Sequence, residues 1–153
     1  MKARLKSFRR AFFVNGTRKM TEEKVIIDRL DHLVLTVADP EASCRFYGEA
    51  LGMEWVEFGA GRLALRFGRQ KINLHRKGGE ISPYALRPTP GSADLCFITR
   101  SDLGAVKAAV ERAGGRVELG PVKRTGAEGP ILSVYFRDPD GNLIEVSNFL
   151  GDL

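Results

Sequence analysis

The stretch FRDPDGNLIEVSN, Phe136 to Asn148, determines the predicted fold. Its first half, Asp138 to Asn142, has the Pro, Asp, Gly and Asn residues typical of a tight turn. Its second half is apolar and β-branched, which predicts a strand, yet Glu145 stands in the middle of that strand. Burying an unpaired carboxylate costs several kcal/mol, about 2 or more. We therefore expect Glu145 to face a cation or a water-filled cleft.

Up to and including this strand, the chain contains the same order of predicted elements twice, namely one strand, one helix and three strands. Asp39, Pro40 and Gly52 are a typical N-cap, first-turn residue and C-terminal stop for a helix. In the first half this helix follows one predicted strand and precedes three short ones. Those four strands are Leu30–Val37, 54–58, 62–67 and 71–76.

The second half repeats the order strand, helix and three strands. Ser101 is the predicted N-cap of its helix, and the predicted strands are 93–99, 116–119, 131–136 and 142–148. Residues 78–91, with three prolines, form the predicted linker. The sequence thus predicts one α+β domain over 26–150, with βαβββ modules at 30–77 and 92–149. We expect a curved mixed sheet around a central cup, with the helices on the outer face.

The positive charge of the chain is concentrated at its start. The net charge is +5, but residues 1–25 form a basic leader, and taking its first seven cations from 24 leaves 17 against 19 acidic residues. Nucleic-acid binding by the domain is therefore not expected. The leader is interpreted as a disordered basic arm or as sequence upstream of a start at Met20, with an organelle-targeting peptide as the alternative.

Other features favour an intracellular, cytoplasmic protein. No apolar run approaches the roughly 18 residues that span a membrane, so no membrane partner is expected. Cys44 and Cys96 match no metal or redox spacing, and we expect both to be buried free thiols.

Alternation along the strands predicts which side chains line the cup. Successive strand residues point to opposite faces, so the apolar set packs under the helices and the polar set faces the cup. Aligned between the modules, His32 matches Asp94 and Asn73 matches Glu145. His75 follows Asn73 on the same face. These residues bring imidazole nitrogen and several oxygen atoms to one place, which is a donor set for a divalent cation.

The segment Pro121–Pro130 is rich in glycine and proline and joins two predicted strands. It is interpreted either as a plain long turn or as a mobile lid over the cup. In the second case Lys123 and Arg124 would bind an anionic substrate.

Three segments carry a resemblance to a known family: DHLVLTV (residues 31–37), FYGEALGM (46–53) and the closing FRDPDGNLIEVSN. With the βαβββ duplication, they resemble the vicinal-oxygen-chelate superfamily, which includes glyoxalase I, extradiol dioxygenases and bleomycin-binding proteins. The resemblance covers about residues 29–149. It is strongest to the glyoxalase-domain-containing-protein-5 branch, which includes virulence-associated proteins.

The resemblance implies a metal site formed by the first and fourth strands of each module. Carried over position by position, it places the ligand positions at His32, Asn73, Asp94 and Glu145. His32 and Glu145 match the family's pattern, whereas Asp94 stands where the enzymes usually have histidine. We expect His32, Asp94 and Glu145 to be the metal ligands, with Glu145 also catalytic. Asn73 and His75 would bind substrate. One imidazole among oxygen ligands suits Mn²⁺ or Mg²⁺, with Ni²⁺ or Zn²⁺ as alternatives.

Three functional hypotheses follow from the residues and the resemblance. The first is a divalent-metal-dependent, glyoxalase-like lyase or isomerase acting on a small, oxygen-chelating substrate. The second is a non-catalytic protein that binds or sequesters a drug or antibiotic, and the third is an extradiol-type dioxygenase. A homodimer is expected by resemblance, and whether the cup forms within one chain or between two stays open.

Overall fold

The fold is described from a computed structural model that covers residues 24–151. The predicted leader, 1–25, lies outside the described residues except for Lys24 and Val25. Two successive modules make up the described chain. The first contains β1 (His32–Val37), α1 (Pro40–Leu51), β2 (Glu54–Phe58), β3 (Arg62–Phe67) and β4 (Gln70–Arg76).

The second module has the same order of elements. It contains β5 (Asp94–Ile98), α2 (Leu103–Arg112), β6 (Val117–Thr125), β7 (Pro130–Arg137) and β8 (Leu143–Phe149). The predicted α+β class and the βαβββ duplication are therefore confirmed. The linker between β4 and β5 contains no helix or strand, as predicted.

The strands form two separate four-stranded sheets, with the orders β1-β4-β3-β2 and β5-β8-β7-β6. In each sheet the first strand is parallel to the fourth, and the other pairs are antiparallel. Among the described residues, no strand of one sheet pairs with a strand of the other. The single curved sheet expected from the sequence is thus divided into two.

Both helices begin at an aspartate. Asp39 accepts hydrogen bonds from the backbone N–H groups of Glu41 and Ala42, and α1 ends at Gly52 with φ 64°, as predicted. The predicted cap of α2 is wrong by one residue. Asp102, not Ser101, accepts from the N–H groups at the start of this helix, because its carboxylate reaches them at 2.8 and 3.2 Å.

The core lies between the helices and one face of each sheet. Side chains that are fully buried there come from α1, α2 and the apolar face of all the inner strands, and they form one cluster. The largest of them are Tyr47, Leu65, Ile72, Phe136 and Ile144. Because α1 and α2 also pack against each other, the two modules share a single core.

The segment Pro121–Pro130, predicted from the sequence to be either a long turn or a lid, is mostly strand. β6 continues to Thr125, and the segment returns to β7 at Pro130. The pairing of β6 with β7 shifts register twice between Val117 and Val122, and Gly120 lies in that irregular region with φ 113°. A bulged strand tolerates the Gly-Pro sequence that suggested a loop.

The turn of the closing motif ties the two modules together. Tyr47 of α1 donates a 2.8 Å hydrogen bond to the buried carboxylate of Asp138. Asp138 also accepts from the backbone N–H and the side-chain amide of Asn142, at 2.9 and 2.8 Å. Asp140 accepts from the N–H of Ala38, at the end of β1, at 2.9 Å. The turn 138–142 of this motif therefore has a structural role.

No helix within residues 24–151 has both the length and the apolar character needed to cross a membrane.

Candidate active site, in two halves

Each sheet turns one face to the helices and the other away from them. We call the second the open face. Ile72 and Leu74 of β4 are buried in the core, so Asn73 and His75, which alternate with them, lie on the open face of the first sheet. By the same alternation β8 buries Ile144 and Val146 and carries Glu145 on the open face of the second sheet.

The predicted equivalence between the two modules is confirmed by the strand registers. His32 pairs with Lys71, two residues before Asn73 in the parallel β1–β4 pair. Asp94 pairs with Leu143, two residues before Glu145 in the parallel β5–β8 pair. On each open face, the two polar residues therefore lie on adjacent parallel strands, two residues out of register. The pairs are His32 with Asn73 and Asp94 with Glu145. We call His32, Asn73 and His75 the first half-site, and Asp94 and Glu145 the second half-site.

His32 is held by its neighbour in the sequence. Its Nδ1 lies 2.8 Å from Oδ2 of Asp31, and this hydrogen bond is the main reason that the pKa of Asp31 is lowered. With Nδ1 bonded to a carboxylate, Nε2 is the nitrogen left to bind something else. Metal-binding histidines usually have this arrangement, in which a carboxylate fixes the ring and its tautomer. The sequence analysis did not identify Asp31, although the adjacent Asp-His pair was a signal for it.

Two buried polar atoms of the first half-site lack partners. Oδ1 of Asn73 and Nδ1 of His75 are both shielded from solvent, and neither has a hydrogen-bond partner among the described residues. A buried, unsatisfied polar atom costs about 1–3 kcal/mol. A ligand that supplied those bonds would remove the penalty, which agrees with the predicted role of both residues in substrate binding.

Glu145 lies among polar side chains of the second sheet. Ser147 Oγ donates to Glu145 Oε1 at 3.4 Å, and Ser133 Oγ lies 2.8 Å from Ser147 Oγ. Cys96 Sγ lies 3.5 Å from the same Ser147 oxygen. Partial desolvation of its thiol in the open face raises the pKa of Cys96. Both cysteines are free, as predicted, but only Cys44 is buried, because Cys96 is on the open face.

The two basic residues predicted to bind substrate lie on different faces of the sheet. Lys123 pairs with Leu132, which packs against the core, so Lys123 is on the helix side. Arg124 is on the open face, where its Nε donates to the hydroxyl of Tyr135 at 3.1 Å. The structure thus places Arg124 on the same face of the sheet as Glu145, and Lys123 on the opposite face. Sequence reasoning also missed Tyr135, which alternation along β7 places on the face of Ser133.

The predicted metal ligands are not gathered within one chain. Residues 24–151 contain no group of three or more His, Cys, Asp or Glu side chains placed to hold a metal ion. His32 lies in the first half-site, whereas Asp94 and Glu145 lie in the second. As a set, an imidazole nitrogen and carboxylate oxygens fit a divalent cation chemically. The fit requires a first half-site to face a second half-site.

The chain's two histidines cannot readily serve one ion together. His32 pairs with Lys71 and His75 pairs with Thr36, so they are four residues apart along adjacent parallel strands. That offset corresponds to about 13 Å. The two-histidine, one-carboxylate group of the non-haem iron oxygenases therefore does not form with His75 as the second imidazole.

The duplicated βαβββ modules, with two four-stranded mixed sheets and two helices, define an α+β fold class that relatives of known structure share. The family described as the Glyoxalase/Bleomycin resistance protein/Dioxygenase superfamily matches residues 29–146, and the chain belongs to it.

Two curated relatives are similar over most of the chain. Virulence protein STM3117 of Salmonella typhimurium is 56% identical over 127 residues, which cover 83% of this chain and 88% of the relative. Glyoxalase domain-containing protein RDO1 of Mycosarcoma maydis is 52% identical over 128 residues, 84% of this chain and 72% of the relative. Among solved structures, integron cassette protein VCH_CASS1 from the mobile metagenome of V. cholerae is 57% identical, with a TM-score of 0.80. That match covers 83% of this chain and 99% of the other.

Proposed function

We propose that the chain is a divalent-metal-dependent, glyoxalase-like lyase or isomerase, and that two copies of the chain complete each active site. The substrate class is a small molecule with two adjacent oxygen atoms. The observation that carries the proposal is the 2.8 Å bond between Asp31 and His32. It leaves Nε2 of His32 available on an open face, which is the arrangement typical of a metal ligand.

The division of the ligands between two sheets supports the second part of the proposal. In a homodimer, the first half-site of one copy would face the second half-site of its partner, and a two-fold axis would generate two equivalent sites. Large apolar side chains are partly exposed on both open faces, namely Val34 (45%), Ile98 (49%) and Leu119 (48%). A partner copy would remove this apolar surface from water.

The chemistry of the proposed site follows from its side chains. A bound divalent ion would supply stabilisation of negative charge on the two adjacent substrate oxygens. Glu145 is half-buried, and its Oε1 is held by Ser147. Its carboxylate is the candidate general base that removes a proton from the neighbouring carbon. Asn73 and His75 would orient the substrate through the two polar atoms that have no partner in the chain.

The test combines metal content with turnover. Protein purified without added metal is analysed for its elements, treated with a chelator, reloaded with Mn²⁺, Mg²⁺, Ni²⁺ or Zn²⁺, and assayed with the hemithioacetal of methylglyoxal and glutathione. We expect stoichiometric metal and turnover that the chelator abolishes and one metal restores. Glu145→Gln should lower kcat about 100-fold or more, as expected for loss of a general base.

The matched control is Glu57→Gln. Glu57 is an exposed strand glutamate that alternates with the open-face residues of β2 and forms no ion pair with a described residue. This variant should keep wild-type turnover. Protein that takes up no metal and turns over no hemithioacetal would reject the proposal.

A second candidate function is supported by the same apolar side chains. The exposed apolar area on both open faces, together with the absence of a three-ligand group within residues 24–151, suits a protein that binds an aromatic drug or antibiotic without chemistry. Metal-free protein that binds such ligands tightly, with no turnover, would favour this candidate.

A further inference from the structure

Tyr135 is the cross-strand neighbour of Glu145 in the second sheet. The two residues are directly opposite each other in the antiparallel pair of β7 and β8. Directly opposed residues share a face, and their Cβ atoms lie about 4.5–5.5 Å apart. The register therefore places the phenol ring of Tyr135 beside the Glu145 side chain. A phenol is protonated at neutral pH and can donate its O–H.

Arg124 fixes the direction of that donor. Its Nε donates to the phenol oxygen of Tyr135 at 3.1 Å, and its guanidinium carbon lies 5.5 Å from the centre of the ring. A phenol has a single O–H to donate. With Arg124 bound to the oxygen as a donor, the phenol proton is free to point to the carboxylate. A hydrogen bond from Tyr135 to Glu145 would continue the direction of the bond from Arg124 to Tyr135.

We propose that Tyr135, oriented by Arg124, is a positioning residue that holds the Glu145 carboxylate toward the open face. This inference depends on the proposed role of Glu145. Ser147 binds Oε1 from the same strand, and Tyr135 lies opposite Glu145 on the neighbouring strand, where its O–H would supply a second donor. Two donors from two strands define the orientation of a planar carboxylate better than one, and proton transfer depends on that orientation.

The inference gives Arg124 a different role from substrate binding. A guanidinium that bound the anionic group of a substrate would act independently of Tyr135. One that acts through Tyr135 has an effect only when the phenol hydroxyl is present. The two roles can be separated by a double-mutant cycle.

The first experiment measures turnover of the metal-loaded protein carrying Tyr135→Phe, Arg124→Met or both. Tyr135→Phe keeps the ring and removes the hydroxyl. We expect kcat to fall about 10- to 100-fold, as small misplacements of a catalytic group do, with KM within about twofold. Arg124→Met should give part of this loss, and the double variant no more than Tyr135→Phe alone. Additive losses, or a KM effect from Arg124→Met, would overturn the proposal.

The second experiment needs no turnover, so it separates this inference from failure of the proposed function. Crystal structures of the wild-type protein and of Tyr135→Phe are compared at Glu145. We expect the carboxylate to rotate or become disordered once the hydroxyl is absent. A carboxylate that stays within about 0.5 Å of its wild-type position would show that Tyr135 does not hold it.

Tyr84→Phe is the control for both experiments. Tyr84 lies in the linker with 56% of its surface exposed. Its hydroxyl has no hydrogen bond to a described residue, and we expect this variant to keep wild-type turnover and an unchanged Glu145 conformation.

Discussion

Tyr47 and Asp138 are joined by a buried 2.8 Å hydrogen bond, although they belong to different modules and are 91 residues apart in the sequence. Tyr47 is fully buried on α1, and Asp138 is only 6% exposed in the turn before β8. A hydrogen bond to a charged group in such a place contributes more than one at the surface. Four predictions follow from this bond and from the other features of the fold.

Tyr47→Phe should destabilise the protein by about 1–3 kcal/mol, because Asp138 loses one donor while it remains buried. The measurement is urea unfolding at matched protein concentration, since association would make the midpoint concentration-dependent. Tyr84→Phe in the exposed linker is the control and should stay within about 0.5 kcal/mol of the wild type. Equal stability of both variants would mean that the buried bond contributes nothing.

The stability should also fall at high pH in a way that depends on Tyr47. Burial, then the charge and hydrogen bond of Asp138, raise the pKa of Tyr47 above its ordinary value, which is about 10. Above about pH 10, the folded state therefore keeps the Tyr47 hydroxyl protonated, whereas the unfolded state loses this proton. This contribution is complete below about pH 10 and declines as the pH rises further, by about 1.4 kcal/mol per pH unit. Unfolding midpoints from pH 8 to pH 11 should fall less steeply for Tyr47→Phe, and parallel curves would contradict the assignment.

Mixed dimers should show whether two chains complete each site. His32→Ala and Glu145→Gln are each expected to abolish turnover. If His32 and Glu145 of one site come from different copies, a mixed dimer of the two variants has one intact site and one doubly altered site. Coexpression and isolation of the mixed dimer should then restore about half of the wild-type turnover per dimer, a consequence of the two-fold symmetry.

The control for the mixed dimer is a wild-type chain paired with the His32→Ala, Glu145→Gln double variant. If the sites are shared, one site of that dimer lacks His32 and the other lacks the Glu145 carboxylate. The control dimer should then be inactive. The opposite pattern, with this control active and the mixed dimer inactive, would place each complete site within one chain.

Gly91→Ala should destabilise the protein more than Gly78→Ala. Both glycines have similar positive φ values, 77° and 79°, so both substitutions carry the strain of that conformation, about 1 kcal/mol. A Cβ at Gly91 would in addition collide with the backbone carbonyl oxygen of Asp140, whereas a Cβ at Gly78 meets no atom within 4 Å. We expect a further loss of about 1–3 kcal/mol for Gly91→Ala in urea unfolding. Equal losses of stability for the two variants would show that the turn containing Asp140 moves to make room for the added methyl group.

Local signals predicted much of the fold. The bounds of α1 follow from Asp39 and Gly52, which act on the helix ends next to them. The open-face positions of Asn73 and Glu145 follow from strand alternation, and their equivalence follows from the repeat. The boundaries of β6 were missed because Gly120 and Pro121 are typical of loops, and only pairing with β7 keeps them in an irregular strand.

The arrangement of the two sheets could not be predicted from local patterns. The alternation of residues along β1 and β5 specifies which face of each strand is apolar. It does not specify whether β1 pairs with β5 of the other module or whether the two modules form separate sheets. The two separate sheets, and with them the separation of His32 from Glu145, result from contacts between residues far apart in the sequence. Tyr135 was missed for the same reason, since only the β7–β8 register places it opposite Glu145.

The turn that begins at Asp138 leads directly into the strand of Glu145, and α1 anchors that turn. A fragment containing only residues 92–151 would keep the strand but lack the anchor, and its apolar face would have lost α1. We therefore expect neither duplicated segment to be stable in isolation. Because the two modules share one core, we expect them to unfold together in a single cooperative transition.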